Sequence, residues 1–262
     1  MKRFVLFCAA LLLSASAFAF DHSAFDALLK KHVVLIEGGK ATKVNYANFA
    51  KDRAQLKTYL DALSKVSPAE YKGWSKNEQL AFLINAYNAY TVELILTKYP
   101  DLKSIRDLGS TFSSPWKKKF FMLLGEEKHL DDVEHGMIRA EGVFNEPRIH
   151  FVVNCASIGC PALRNEAITA DKLEAQLEDS TKKFLADRSR NRIAEGSVQI
   201  SKIFDWYGKD FSKGWKGYTS LNQFLAKYAD ALTDNAADKQ ALAEGKLKVS
   251  FLDYDWGLNV AR

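Results

Sequence analysis

Cysteine is scarce in this chain. Only Cys8, Cys155 and Cys160 occur among 262 residues. That number excludes a small scaffold stapled by many disulfides. Proline is also rare, five in all, and no proline-rich linker, low-complexity block or internal repeat divides the chain. No stretch beyond the amino terminus approaches the roughly 20 apolar residues of a membrane span. No glycine-rich phosphate loop is present, and no Asn-x-Ser/Thr acceptor. The G-x-S-x-G turn of serine hydrolases is missing as well. Charge of neither sign dominates: 37 basic against 32 acidic residues leave +5. That balance calls for no nucleic-acid or membrane partner. The densest basic run, Lys117-Lys118-Lys119, reads as a solvated turn.

What is present begins with a leader. Lys2 and Arg3 precede an apolar run from Phe4 to Leu13, and Ala17-Phe18-Ala19 fits a small-x-small cleavage site. We expect residues 1–19 to be a signal peptide and residues 20–262 to be one exported domain, periplasmic or extracellular, with no stable membrane insertion after cleavage. Removing Lys2 and Arg3 lowers the side-chain balance from +5 to +3. Cleavage also removes Cys8, leaving Cys155 and Cys160. Two cysteines in an exported protein favour a disulfide on compartment grounds. Hydrophobic residues at 47% and charged residues at 26% are ordinary for a globular protein of this size.

Helical periodicity predicts amphipathic helices over 23–37, stopped by Gly38-Gly39, over 46–64 and over 171–187, with a short turn from Ser67-Pro68. The segment SKNEQLAFLINAYNAYTVELILTKYP opens with a capping box, Ser75 and Glu78, and closes before Pro100. It is apolar nearly all round, so helix 76–99 should be buried and central. Asn85 and Asn88 share one face of it. A buried amide must find partners. The two either hold neighbouring loop backbone or line a polar pocket. Phe120–Leu130 reads as a hairpin, and LDDVEHGMIRAEG as a helix capped by Asp131 and Glu134 and stopped by Gly142. RIHFVVN reads as the best strand, VQIS as another, FDWYGKDF and 219–229 as helical, and KLKVSFLDYDW as a late strand. The expected fold is α+β: a helix-rich single domain with a small sheet containing residues 148–154.

The remaining thiols follow that strand in HFVVNCASIGCPAL. A thiolate nucleophile needs a base or positive charge to lower its pKa. His150, His135 and His129 are the candidate bases. Positions five apart on a strand point to opposite faces, so Cys155 would have to fold back to meet His150. His135, one turn from Asp131 and beside Glu134, could be oriented by a carboxylate in a Cys-His-acid arrangement. The plainer reading is a Cys155–Cys160 disulfide with His150 in the core. His129, Asp131, His135 and the cysteines include metal donors, but their spacing matches no zinc pattern. We therefore expect no metal and no cofactor.

NEQLAFLINAYNAYTVELI, LDDVEHGMIR, RIHFVVNCASIGCPAL, IFDWYGKDF and YDWGLN, in this order, resemble the family known as domain of unknown function 547. The resemblance runs from about Tyr46 to Asn259. It implies that Asn85, Tyr87, Asn88, Glu134, His135, Arg139, Arg148, His150, Cys155, Cys160, Pro161, Asp205, Tyr207 and Asp210 are signature positions, and it carries no settled activity. The family resembles one with both exported and intracellular members. The intracellular ones would keep these thiols reduced, so the motif need not be built around a disulfide. A looser likeness links the chain to thiol enzymes of the transglutaminase and papain group, although the buried helix carries Asn85 and Asn88 where those enzymes place cysteine.

The expected activity is that of a thiol-dependent hydrolase or acyl-transferase-like enzyme acting on a small molecule or peptide. Cys155 would be the nucleophile and His150 or His135 the base. Glu134 would orient the base, with Asn85, Asn88, Arg139, Arg148 and Cys160 binding or supporting. The alternative is a non-catalytic binding or scaffold domain with a structural Cys155–Cys160 disulfide.

Overall fold

A computed structural model describes residues 19–110 and 113–261. The expected leader, residues 1–19, lies outside the described residues except for Ala19. Helix α1 (Ser23–His32) opens the described chain. The expected helix over 23–37 ends there, because Val33 turns extended. Val33–Ile36 forms β1, which pairs antiparallel with β2 (Ala41–Val44). Branched Val33, Val34 and Ile36 favour that extended backbone. Gly38-Gly39, both at positive φ, turn the hairpin instead of capping a helix.

The expected helix over 46–64 is two helices, α2 (Tyr46–Lys51) and α3 (Arg53–Lys65). The break falls at Asp52, whose carboxylate meets His32 Nε2 at 2.7 Å and Lys31 Nζ at 2.6 Å. Ser67 caps α4 (Pro68–Gly73).

Helix α5 (Lys76–Leu96) is buried along almost all of its length and carries the expected capping box. Ser75 Oγ accepts from the Glu78 N–H at 3.3 Å, and Glu78 Oε2 accepts from the Ser75 N–H at 2.7 Å. The helix stops at Leu96, short of Tyr99. The main core forms around it, with Phe25, Phe49, Leu56 and Leu63 from the first helices packed against its apolar face. Strands β3 (Phe121–Leu123) and β4 (Glu126–Lys128) make the expected hairpin.

A π-helical segment, Asp132–Ile138, follows. The expected Asp131–Glu134 cap does not form there. His129 and Asp132 cap reciprocally instead: the His129 N–H donates to Asp132 Oδ2 at 3.0 Å, and the Asp132 N–H donates to His129 Nδ1 at 2.9 Å.

The largest departure concerns residues 148–154. They join no sheet. Pro147–Phe151 is a 3₁₀ helix, with Glu146 as its cap accepting from the Arg148 N–H. Proline suits a first helical position, and Ile149, Phe151 and Val152 are buried where they stand. The backbone groups that a neighbouring strand would have bonded are met by an α5 side chain. Asn88 Nδ2 donates to the Val152 carbonyl at 2.9 Å, and its Oδ1 accepts from the Asn154 N–H at 2.9 Å. Tertiary contact thus overrides a β-rich local pattern.

Helix α6 (Leu173–Leu185) lies against this turn. A second core of phenylalanines, Phe151, Phe184, Phe204, Phe211 and Phe224, joins them to the carboxy-terminal third. There β5 (Arg192–Ala194), β6 (Ser197–Ser201) and β7 (Lys248–Leu252) form a three-stranded sheet, antiparallel between β5 and β6 and parallel between β6 and β7. Helices α7 (Ile203–Trp206) and α8 (Leu221–Lys227) and a 3₁₀ turn, Gly208–Phe211, fill the connection. The fold is α+β, helix-dominated, with three small sheets among the described residues. No helix among the described residues is long and apolar enough to cross a membrane.

Two substitutions test this construction in urea melts. Ser75→Ala should cost about 0.5–2 kcal/mol through the lost cap. Asn88→Leu strands the Val152 carbonyl and the Asn154 N–H, each worth about 1–3 kcal/mol when buried and unpaired. It should therefore be the more damaging of the two. A neutral Asn88→Leu variant would refute the clamp.

Candidate functional site: a cleft beside the cysteine pair

Residues 155–160 form a loop clamped at both ends and along its middle. Asn154 Nδ2 donates to the Pro161 carbonyl at 2.7 Å, and Asn154 Oδ1 accepts from the Ala156 N–H at 2.8 Å. The Ile158 and Gly159 N–H groups donate to the carbonyls of Gly257 and Asp255, both at 2.8 Å. A Cβ at Gly159 would lie 2.9 Å from the Tyr254 ring, so only glycine admits that approach. The Arg190 guanidinium donates to the Cys160 carbonyl.

Cys155 and Cys160 are joined as a disulfide, with Cα atoms 6.3 Å apart. Cys160 is buried and Cys155 half-buried. Cys160 Sγ accepts from the Cys155 N–H at 3.0 Å and from the Tyr254 hydroxyl at 3.1 Å. Cys155 Sγ meets Ser157 Oγ at 2.9 Å.

The pair borders a cleft of about 220 Å³ that gathers side chains from distant parts of the chain. Asp131, Glu134, His135, His150, Cys155, Cys160 and Pro161 line it, with Tyr87 of α5, Tyr207, Tyr254 and three tryptophans. His150 and Cys155 do not fall on opposite faces of a strand. The 3₁₀ turn and the loop after Asn154 bring both to the cleft.

His150 is buried, and its Nε2 meets Asp210 Oδ2 at 2.8 Å. Its ring stacks on Tyr207 with centroids 4.1 Å apart. Nδ1 has no hydrogen-bond partner among the described residues. Burial pushes the imidazole pKa down, against the pull of Asp210. Burial alone would raise the Asp210 carboxyl. Hydrogen bonds from His150 and from Arg139 Nε, 2.6 Å away, outweigh it and hold Asp210 well below the usual carboxylate range. Arg139 also lies over the Tyr207 ring at 4.6 Å and bonds His135 Nδ1. His135 is exposed, with Nε2 3.8 Å from Asp131.

The carboxylates nearest the two histidines are thus Asp210 and Asp131. Glu134 makes no ion pair with either, and its charge falls on the phenols of Tyr87 and Tyr207. His129 caps the π-helical segment and does not line the cleft.

Asn85 and Asn88 hold backbone. Asn85 Nδ2 donates to the Ile168 carbonyl at 2.7 Å, and Asn85 Oδ1 accepts from the Ile168 N–H at 2.9 Å. Neither asparagine walls the cleft. Arg148 also sits elsewhere, bonded to Glu146, Glu174 and Glu178, where it ties the 3₁₀ turn to α6. The exposed Asp205 pairs with Lys202.

Asp210, Tyr254, Ser157 and the tryptophans were not candidates from residue chemistry. The WYGKDF spacing places Tyr207 and Asp210 on one turn, but no local pattern links them to His150. No group of three or more metal-donor side chains among the described residues is placed to hold an ion.

Residues 71–185 match the model of the family described as "Protein of unknown function, DUF547", so the chain carries a domain of that kind. The matched span holds Tyr87, Glu134, His135, His150 and both cleft cysteines, whereas Asp210 and Tyr254 lie beyond it. No curated protein and no solved structure matches the chain significantly.

The electrostatics of the pair set a pH dependence. The folded state favours neutral His150, so its contribution is complete above the ordinary value of 6.5 and is lost as pH falls through the lower folded value. Asp210, held low, loses its contribution in the same direction at more acid pH. Buried His22, lowered to about 4, adds to the same trend. The urea midpoint should fall between about pH 7.5 and about pH 5, and fall less in His150→Gln. Equal declines in both proteins would show that His150 is not the titrating group.

Proposed function

We propose that the cleft is the active site of an exported thiol-dependent hydrolase or acyltransferase, acting on an amide, ester or peptide bond of a small molecule or peptide. The observation that carries this reading is that His150, backed by buried Asp210, lines the same cleft as the Cys155–Cys160 pair. A dithiol reductant releases the nucleophile. Its first thiolate attacks one sulfur of the pair and forms a mixed disulfide, and the other cysteine leaves as a thiolate. The second reductant thiol then closes the reductant's own disulfide and frees both cysteines.

His150 Nδ1 takes the proton of Cys155, while Asp210 holds Nε2 and stabilises the imidazolium that forms. Burial, which lowers its pKa, leaves the His150 imidazole neutral near pH 7 and so able to accept that proton. His135, paired with Asp131, is the second candidate for this role. The Cys155 thiolate attacks the substrate carbonyl and expels the amine or alcohol, and water or an acceptor then takes the acyl group.

A second reading, a binding or scaffold domain, has the bonded state of the cysteines in its favour. The two separate on reduced protein. Iodoacetamide labelling of Cys155 against pH should give a thiol pKa below the free value of about 8.5. His150→Ala should return it toward that value, and His135→Ala should change it less. Titration near the free value in all three proteins, or no labelling at any pH after reduction, would reject the enzyme. Export is tested separately. The exported protein should begin at or near Phe20 by mass spectrometry, and an intact Met1 would reject cleavage.

A further inference from the structure

One wall of the cleft is aromatic. Tyr254 and Trp256 have ring centroids 4.6 Å apart, Trp206 and Tyr254 4.9 Å, Trp206 and Trp256 5.6 Å, and Trp116 and Trp256 5.8 Å. Trp206 is 45% exposed. Facing it in the lining are two carboxylates and no lysine or arginine.

Glu134 is only 5% exposed. Among the described residues, no lysine, arginine or histidine lies within ion-pair distance of it. A buried carboxylate without a cation is costly. Tyr87 and Tyr207, pushed up first by burial, are raised further by its charge and by hydrogen bonding to it. Three of the cations nearby have other partners. Arg139 is held by Asp210, and His135 lies 3.8 Å from Asp131. Arg106 covers Trp256 at 5.3 Å and lines the neighbouring groove.

Aromatic faces and a carboxylate that has tyrosine hydroxyls but no cation beside it select a weakly hydrated cation over an anion or a neutral group. At about 220 Å³ the space is smaller than a typical drug-sized pocket, so it suits a head group at the end of a longer ligand.

We propose that the cleft recognises an alkylammonium group, quaternary or lysine-like. Its charge lies against Glu134, and its alkyl surface lies on Trp206, Tyr254 and Trp256. This rests on the cleft being the ligand site, and it names the class of substrate. It does not depend on Cys155 being a nucleophile.

The test is tryptophan-fluorescence titration of the full oxidised protein. Its probes are choline, Nα-acetyl-lysine methylamide and the uncharged choline isostere 3,3-dimethyl-1-butanol. At least one cation should saturate and bind tenfold or more tighter than the isostere. The stronger of the two identifies a quaternary or a primary ammonium source. Glu134→Gln should weaken that cation tenfold or more, and Trp206→Ala, at an exposed position, should weaken it several-fold. Binding of the isostere as tight as either cation, undiminished cation binding in Glu134→Gln, or no saturable binding by any probe would overturn the proposal. If Glu134→Gln does not fold, the isostere comparison on the unmodified protein still decides. Failure here, with an intact His150-dependent thiol pKa, would remove the ammonium assignment and leave the thiol enzyme standing.

Discussion

The side-chain amide of Asn88 is the constraint on which the cleft depends. It stands on the most buried helix of the molecule and bonds one carbonyl and one N–H of the chain at Val152 and Asn154. Those two bonds replace the partners a strand would have had. They allow a β-rich segment to remain wound as a 3₁₀ turn inside the core, with His150 on one side of the contact and Cys155 on the other. Asn154 then passes the constraint on by holding Ala156 and Pro161. Asn85 does the same for the backbone at Ile168. Two amides on one helix face thus pin two separate loops.

The chemistry of the cleft follows from where the helix before it begins. Capping by His129 and Asp132 leaves Asp131 and Glu134 without a capping duty, and both line the cleft. The same winding directs Arg139 across Tyr207 to Asp210. His150, Asp210, Arg139 and His135 form one chain of contacts, with buried His150 stacked on Tyr207. Substituting any of them changes the charge felt by the others, so their effects will not add. Glu134 makes no ion pair among the described residues, and its charge acts on His150 and on the phenols of Tyr87 and Tyr207.

Periodicity was sufficient where one element buries its own stripe. The capping box at Ser75, the central helix, the hairpin at Phe121–Lys128 and the helix around Leu177 are local matters, and they lie close to where the pattern puts them. It failed where a distant side chain supplies a hydrogen bond. RIHFVVN has strand composition, yet its partners come from a helix more than sixty residues earlier. Asp52 breaks a continuous helical pattern by bonding His32 and Lys31 of α1. Neither bond leaves a trace in its own segment.

The site divides in the same way. The sequence by itself determined the fold class, the buried helix with its two amides, and the identity of the groups able to do chemistry: two cysteines, a few histidines and the carboxylates beside them. These depend on residue type and on spacing within one element. Only the tertiary structure decided that Asp210 serves His150, that Asp131 and not Glu134 faces His135, that Asn85 and Asn88 hold backbone, and that an aromatic wall from α7 and the carboxy-terminal segment closes the cleft. Apart from Asp131 and His135, one turn apart, those pairings join residues that are far apart in the chain. Their geometry is set by how the two cores pack against each other, and no short-range pattern of residue types encodes it.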